Sequence, residues 1–240
     1  MRRVSNDSYS YGHPSYDARE DYTTFGSSPW KSSGELSISA YNSLIGIILL
    51  YGFGINVILV TCCAKYFANI NPWVLLIGYL VLCISGIVIS RKSDNPVISF
   101  IGYNMVVVPI GIVLSICLQG QSSVSILYAL ATTAGVVAIM LIASTVYPKV
   151  FLSLGRILGL VLLAVIIVEL VLALTGVATP TFWDILVGIL FCGYIGFDWA
   201  KAQSEYRTAD AAVDACVHLY LDIINLFLRI LSLYSRRSSD

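Results

Sequence analysis

The stretch ILGLVLLAVIIVELVLALTG, residues 157–176, decides the class of fold. It carries one ionisable side chain, Glu169. At about 1.5 Å of rise per residue these residues make a helix about 30 Å long, which matches the hydrocarbon core of a bilayer. Blocks of the same kind lie on both sides of it. Residues 41–63, 73–90, 97–118 and 123–147 precede it, and 181–198 and 211–234 follow. The punctuation between them is short and polar: NINP, RKSDNP, QGQSS, YPK, TGVATPT and KAQSEYRTAD. Connections of this length force neighbouring helices to run antiparallel. The pattern predicts an all-α membrane protein, a bundle of seven transmembrane helices.

Composition supports the same class. Of the 240 residues, 58% are hydrophobic and 12% charged, about half the charged share of a soluble globular domain. Mean hydropathy is +0.83. With 14 basic and 14 acidic residues the formal net charge is zero, whereas binding a nucleic acid needs clustered Lys and Arg. Nucleic acid is therefore not an expected partner. Cys62, Cys63, Cys83, Cys117, Cys192 and Cys216 fall inside the apolar blocks without a Cys-x-x-Cys pair. They read as small buried hydrophobes.

Residues 1–40 are of another kind. They are rich in Ser, Tyr, Asp and Gly, without helical periodicity, and read as a disordered tail. The arginines at its start are not followed by an apolar core, so it is not expected to be a signal peptide. The first helix then acts as its own insertion signal. Residues 235–240 form a short tail at the other end.

Basic residues set the expected orientation. With the N-terminus in the cytoplasm, that side holds Arg2, Arg3, Arg19, Lys31, Arg91, Lys92, Lys149, Arg156, Lys201 and Arg207, while Lys65 stands on the other. A seventh crossing puts Arg236 and Arg237 on the far side, against the rule. A re-entrant last helix would keep them in the cytoplasm. The length of the last block favours seven crossings.

Ionisable residues at membrane depth are costly unless they meet a partner or water. The last block, DAAVDACVHLYLDIINLFLRIL (210–231), holds several. Asp214, His218, Asp222, Asn225 and Arg229 are offset by 0, 4, 8, 11 and 15 residues. At about 100° per residue they share an arc of about 80°. Such a stripe must face other helices or a wet cavity. It reads either as part of a transport path or as internally paired charge at the bundle centre. In the sixth block, Asp184 is expected at the interface near the helix start, and Asp198 at the cytoplasmic end. Lys201, Glu205 and Arg207 beyond it read as a solvated loop. Glu169 has no partner nearby in sequence; it is protonated, lines a pore or meets Arg229. Asn104 and Pro109 suggest a kink in the third helix. His13 falls in the solvated tail. Zinc-ligand spacings, phosphate loops, nucleophile elbows and intramembrane-protease motifs do not occur, so neither enzyme activity nor a bound cofactor is expected.

Two strings carry a family resemblance: FCGYIGFDWAKAQ (191–203) and HLYLDIINLFLRIL (218–231). Together they resemble the Bax inhibitor-1 family, also called the transmembrane Bax inhibitor motif family, and its bacterial-type members in particular. The resemblance implies seven helices with the C-terminal one central. It implies a pH-sensitive calcium leak in which Asp198 and Asp222 form the proton sensor. It also implies that Arg91 latches the pore against Asp198, and that Asp198 and Asp222 meet Ca²⁺. His218, Asp214 and Glu169 lie outside the family pattern; together with Asn225 and Arg229 they are expected to modulate the site. The expected partners are the lipid bilayer, Ca²⁺ and protons, and the expected location a bacterial plasma membrane. The runner-up function is a membrane regulator that does not transport and that binds a membrane protease or a stress or cell-death partner. A proton-coupled small-molecule carrier is a third class, without the inverted repeat such carriers often show.

Overall fold

In a computed structural model of the protein, residues 35–63, 66 and 71–237 are described. Most of the expected N-terminal tail, His13 and Lys65 lie outside them. Leu36–Asp240 forms one compact unit. The described residues contain helices and no strand. They are α1 (Ile38–Ile58, continued by a π-helical turn, Leu59–Cys63), α2 (Pro72–Lys92), α3 (Pro96–Cys117), α4 (Ser123–Val146), α5 (Pro148–Thr175), α6 (Thr181–Ser204) and α7 (Ala209–Arg237). All seven are long and apolar enough to cross a membrane.

Local chemistry sets the helix ends. Ser37 accepts a hydrogen bond from the Ala40 N–H at 3.2 Å, so α1 starts before residue 41. Asn95 caps α3 through the Val97 N–H and Ser122 caps α4 through the Ser125 N–H, at 2.9 and 3.1 Å. Pro148 opens α5 directly after Tyr147, so α5 begins nine residues before the apolar block that announced it. Proline at the first helical position gives up no hydrogen bond, and it makes residues 148–156 the first turns of the helix. Gly176, at φ 68°, ends α5 in the left-handed conformation that glycine adopts most cheaply.

α7 packs against α1, α2, α3, α4 and α6, and α5 packs on α6 and α4. The C-terminal helix is thus the hub, as expected. One core joins α1, α3 and α7 around Tyr41, Ile45, Tyr103, Val106, Leu219 and Tyr220; another joins α5, α6 and α7 around Leu158, Val165, Val187, Ile195 and Leu226. Polar groups inside these cores are tied across helices. Asn56 donates to the Tyr220 hydroxyl at 2.6 Å, and the Tyr103 hydroxyl donates to the Ile48 carbonyl at 3.1 Å. Without water to replace them, such bonds are costly to leave unmade. Apolar side chains such as Leu160, Ile166 and Leu174 remain exposed on α5, which suits contact with lipid.

The bundle has two ends. One gathers the α2–α3, α4–α5 and α6–α7 connections. The other gathers the α3–α4 and α5–α6 connections and the end of α7. Ser90, at the end of α2, hydrogen-bonds Asp214 in the first turns of α7. Arg236, at the far end of α7, donates to the Thr179 carbonyl at 2.7 Å, in the α5–α6 connection. α7 therefore runs the full height of the bundle rather than turning back. Cys83 and Cys216 are buried, but Cys62 and Cys117 are exposed, contrary to the uniform burial expected. Both sit in the last turn of their helix stretch, where packing partners thin out.

Candidate functional site

The polar stripe of α7 faces inward along its whole length. At the α2–α3 end it makes two hydroxyl–carboxylate contacts: Ser90 donates to Asp214, and Ser99 donates to Asp210 at 2.6 Å. Beside them a cavity of about 140 Å³ is lined by Arg91, Asp198, Lys201, Ala202, Glu205, Asp214, Ala215 and His218. α2, α6 and α7 all contribute to its wall. Arg91 and Asp198 share this cavity, although no ion pair joins them among the described residues.

One turn deeper, Asp222 meets Asp198. The two carboxyl groups lie close enough to interact. Asp222 is only 6% exposed, and its Oδ2 is buried without a hydrogen-bond partner. Tyr194 stands beside both acids. Antiparallel packing of α6 on α7 brings the two acids to neighbouring levels, although Asp198 stands near the end of α6 and Asp222 lies more than three turns into α7.

The opposite end holds a larger cavity, of about 650 Å³, lined by residues of α3, α6 and α7 and of the α3–α4 and α5–α6 connections. Its charged wall is made by Asp184, Arg229 and Arg236. Asp184 is 1% exposed and holds several partners at once. Arg229 donates to Oδ1 at 3.2 Å, and Arg236 and Ser232 donate to Oδ2 at 3.1 and 2.8 Å. The other arm of Arg229 reaches Glu169 on α5, which also accepts from Trp183 Nε1 at 3.3 Å. Asn225 lines this cavity too. It lies three residues from Asp222, about 4.5 Å along the helix axis. His218, in the smaller cavity, lies four residues away on the other side, about 6 Å. Asp222 therefore lies in the layer between the two cavities, with Asp198 on the wall of the smaller one.

Several sequence-based expectations change here. Asp184 lies in the first turn of α6 and is among the most buried side chains of the chain, because α7 delivers two guanidiniums to it. Lys201 and Glu205 do not lie in a free loop. α6 continues to Ser204, the two residues form an i,i+4 ion pair at 3.7 Å, and both line the smaller cavity. Helix-forming Ala, Lys and Gln, with Ala202 buried, carry the helix on past Asp198. Of the three alternatives for Glu169, the structure has it meeting Arg229. Asn104 accepts from the Tyr51 hydroxyl at 2.8 Å and donates to the Phe100 carbonyl at 2.8 Å, so it ties α3 to α1. Residues missed in sequence include Ser90, Ser99, Trp183, Ser232 and Arg236. The last two were within reach: at offsets of 18 and 22 from Asp214 they fall on the same arc as the stripe. The others lie on partner helices, where no periodicity marks them.

Comparison with known proteins gives one family match over nearly the whole bundle. The family described as inhibitor of apoptosis-promoting Bax1 matches residues 36–239. Protein LIFEGUARD 4 of Arabidopsis thaliana is 39% identical over 83 residues, 32% of this chain and 33% of that protein. Protein LIFEGUARD 3 of the same plant is 51% identical over 47 residues, 20% of this chain and 18% of that one. An uncharacterized protein of Deinococcus radiodurans is 26% identical over 146 residues, 58% of this chain and 62% of the bacterial one. In each case the matched part is less than two thirds of the relative's length.

Proposed function

This chain belongs to the Bax inhibitor-1 family, and from that premise we propose that it is a pH-sensitive leak for Ca²⁺ across its membrane, governed by the Asp198–Asp222 pair. The observation that carries the reading is the buried Asp222 in the layer between two cavities at opposite ends of the bundle, with Asp198 beside it on the wall of the smaller cavity. Two carboxylates close together at low dielectric do not both ionise cheaply, so a proton between them is the natural occupant of the pair. Losing that proton leaves two anionic groups facing a gap. Ca²⁺ prefers such oxygens but takes six to eight of them. Two carboxylates hold it loosely, with water completing the shell, which suits passage rather than storage. Protons and Ca²⁺ then compete for one place.

Arg91 belongs to the same reading. From the wall of the smaller cavity it serves as a latch, pairing with Asp198 in the closed state and released when that acid is protonated or meets a cation. The N-terminus lies in the cytoplasm, which puts the Arg91 end of the bundle there and the Arg229 end outside, in a bacterial plasma membrane. The reading assigns no catalytic step to the chain.

The test is Ca²⁺ flux into liposomes holding the purified full chain, followed across pH. Wild type passes Ca²⁺ with a rate that changes with pH. Asp198→Asn and Asp222→Asn each abolish that dependence. An unchanged pH response in both variants removes the pair from its role. The family's description favours a second reading, in which the chain regulates a membrane protease or a stress or cell-death partner without transporting anything. Absence of wild-type flux, together with a co-purified membrane partner, would decide for it.

A further inference from the structure

The larger cavity carries a feature that the leak reading does not use. α5 and α7 do not pack on each other among the described residues, yet Arg229 of α7 reaches Glu169 of α5. It does so across α6, beside Gly188: a Cβ built there would lie 3.9 Å from the Arg229 Cβ. The guanidinium thus bridges carboxylates from two different helices, Glu169 on one arm and Asp184 on the other. With Arg236 on the second oxygen of Asp184, the cluster holds two positive and two negative groups and is neutral. Arg229 also lines the cavity one turn from Asn225, and so two turns from Asp222. An ion entering the 650 Å³ cavity therefore meets Arg229 on its wall, two turns from Asp222.

We propose that Arg229 is the charge-selectivity-determining residue of this cavity: it occupies, between two carboxylates, the place that a divalent cation would take. Cations arriving from this end therefore meet a resident guanidinium instead of an acidic mouth. The inference rests on the cation-path reading. Entry from this end has to displace or skirt a tethered charge in a partly buried site. Neutralising Arg229 leaves two carboxylates against Arg236 alone. A cleft with one sign of charge in excess concentrates the opposite ion by tenfold or more.

Two measurements on the full chain test this. In liposomes at fixed pH, Arg229→Gln raises Ca²⁺ flux about tenfold, while Arg229→Lys, which keeps the charge, stays within about twofold of wild type. In detergent, Tb³⁺ is the probe, read by luminescence sensitised through Trp183, whose indole touches Glu169. Arg229→Gln binds Tb³⁺ about tenfold more tightly than wild type, and Trp183→Phe removes the signal. Glu169→Gln takes away a carboxylate and leaves the guanidinium, so it lowers both readouts. A folding defect cannot produce opposite signs in the two variants. If Arg229→Gln does not fold, the fall expected for Glu169→Gln decides alone. Unchanged Tb³⁺ binding in the variants overturns the proposal whatever the flux does. Absence of wild-type flux with the Tb³⁺ pattern intact defeats the leak reading but leaves the role of Arg229 standing.

Discussion

Asp184 shows what a single buried charge does in this molecule. Its carboxylate receives two guanidiniums and a hydroxyl, so removing it leaves Arg229 and Arg236 short of a counter-ion in a place with little water. Breaking a buried pair costs about 3–5 kcal/mol. Arg229 and Arg236 keep 20% and 39% of their side-chain surface, which brings the expected loss for Asp184→Ala down to about 2–3 kcal/mol. Thermal unfolding in detergent reads it as a clear fall in midpoint, while the same change at exposed Asp94 leaves the midpoint where it was. Opening the Lys201–Glu205 pair with Lys201→Ala moves it little, since exposed i,i+4 pairs contribute about 0.3–0.5 kcal/mol. None of the partners of Asp184 was legible from sequence. Arg229 is 45 residues away, and only the crossing of α6 over α7 brings the two together. Asp222 and Asp198 were legible as a pair only through the family resemblance; periodicity places Asp222 on the inner arc of α7 but says nothing of what faces it.

At the level of the helix, the apolar blocks announced the spans because a bilayer demands about twenty such residues wherever a helix crosses it. What that signal misses is helix that leaves the hydrocarbon. The first turns of α5 carry Lys149 and Arg156, and the last turn of α6 carries Lys201, so both look like loop by hydropathy alone. Equally silent is how closely two helices approach. α2 and α3 come together at Gly86 and Gly102, where a Cβ on either would lie 2.5–2.6 Å from the other's carbonyl oxygen. Backbone cannot step aside as a flexible side chain can. Gly86→Leu therefore forces α2 off α3 and costs about 2 kcal/mol or more, read as a lower unfolding midpoint. Gly46→Ala, with open space around its position, leaves the midpoint equal or slightly higher, since alanine is the better helix former.

At the scale of the molecule, seven antiparallel helices put the α2–α3 connection and the α3–α4 connection on opposite sides of the membrane. In a cysteine-free background, Ser93→Cys and Ser122→Cys react with an impermeant maleimide from opposite sides of sealed vesicles. Labelling of both from one side would contradict the seven-span layout. The same arrangement gives α5 an unusual footing. A single residue, Tyr147, joins it to α4, it rests on the flank of α6, and its other half is fastened to the hub through the Glu169–Arg229 contact. A rod seated along its neighbour and tied near its head by a charged clasp is braced at both ends. Loosening the clasp leaves the foot held, where Phe151 and Leu158 press on Gly196 and Gly193 of α6.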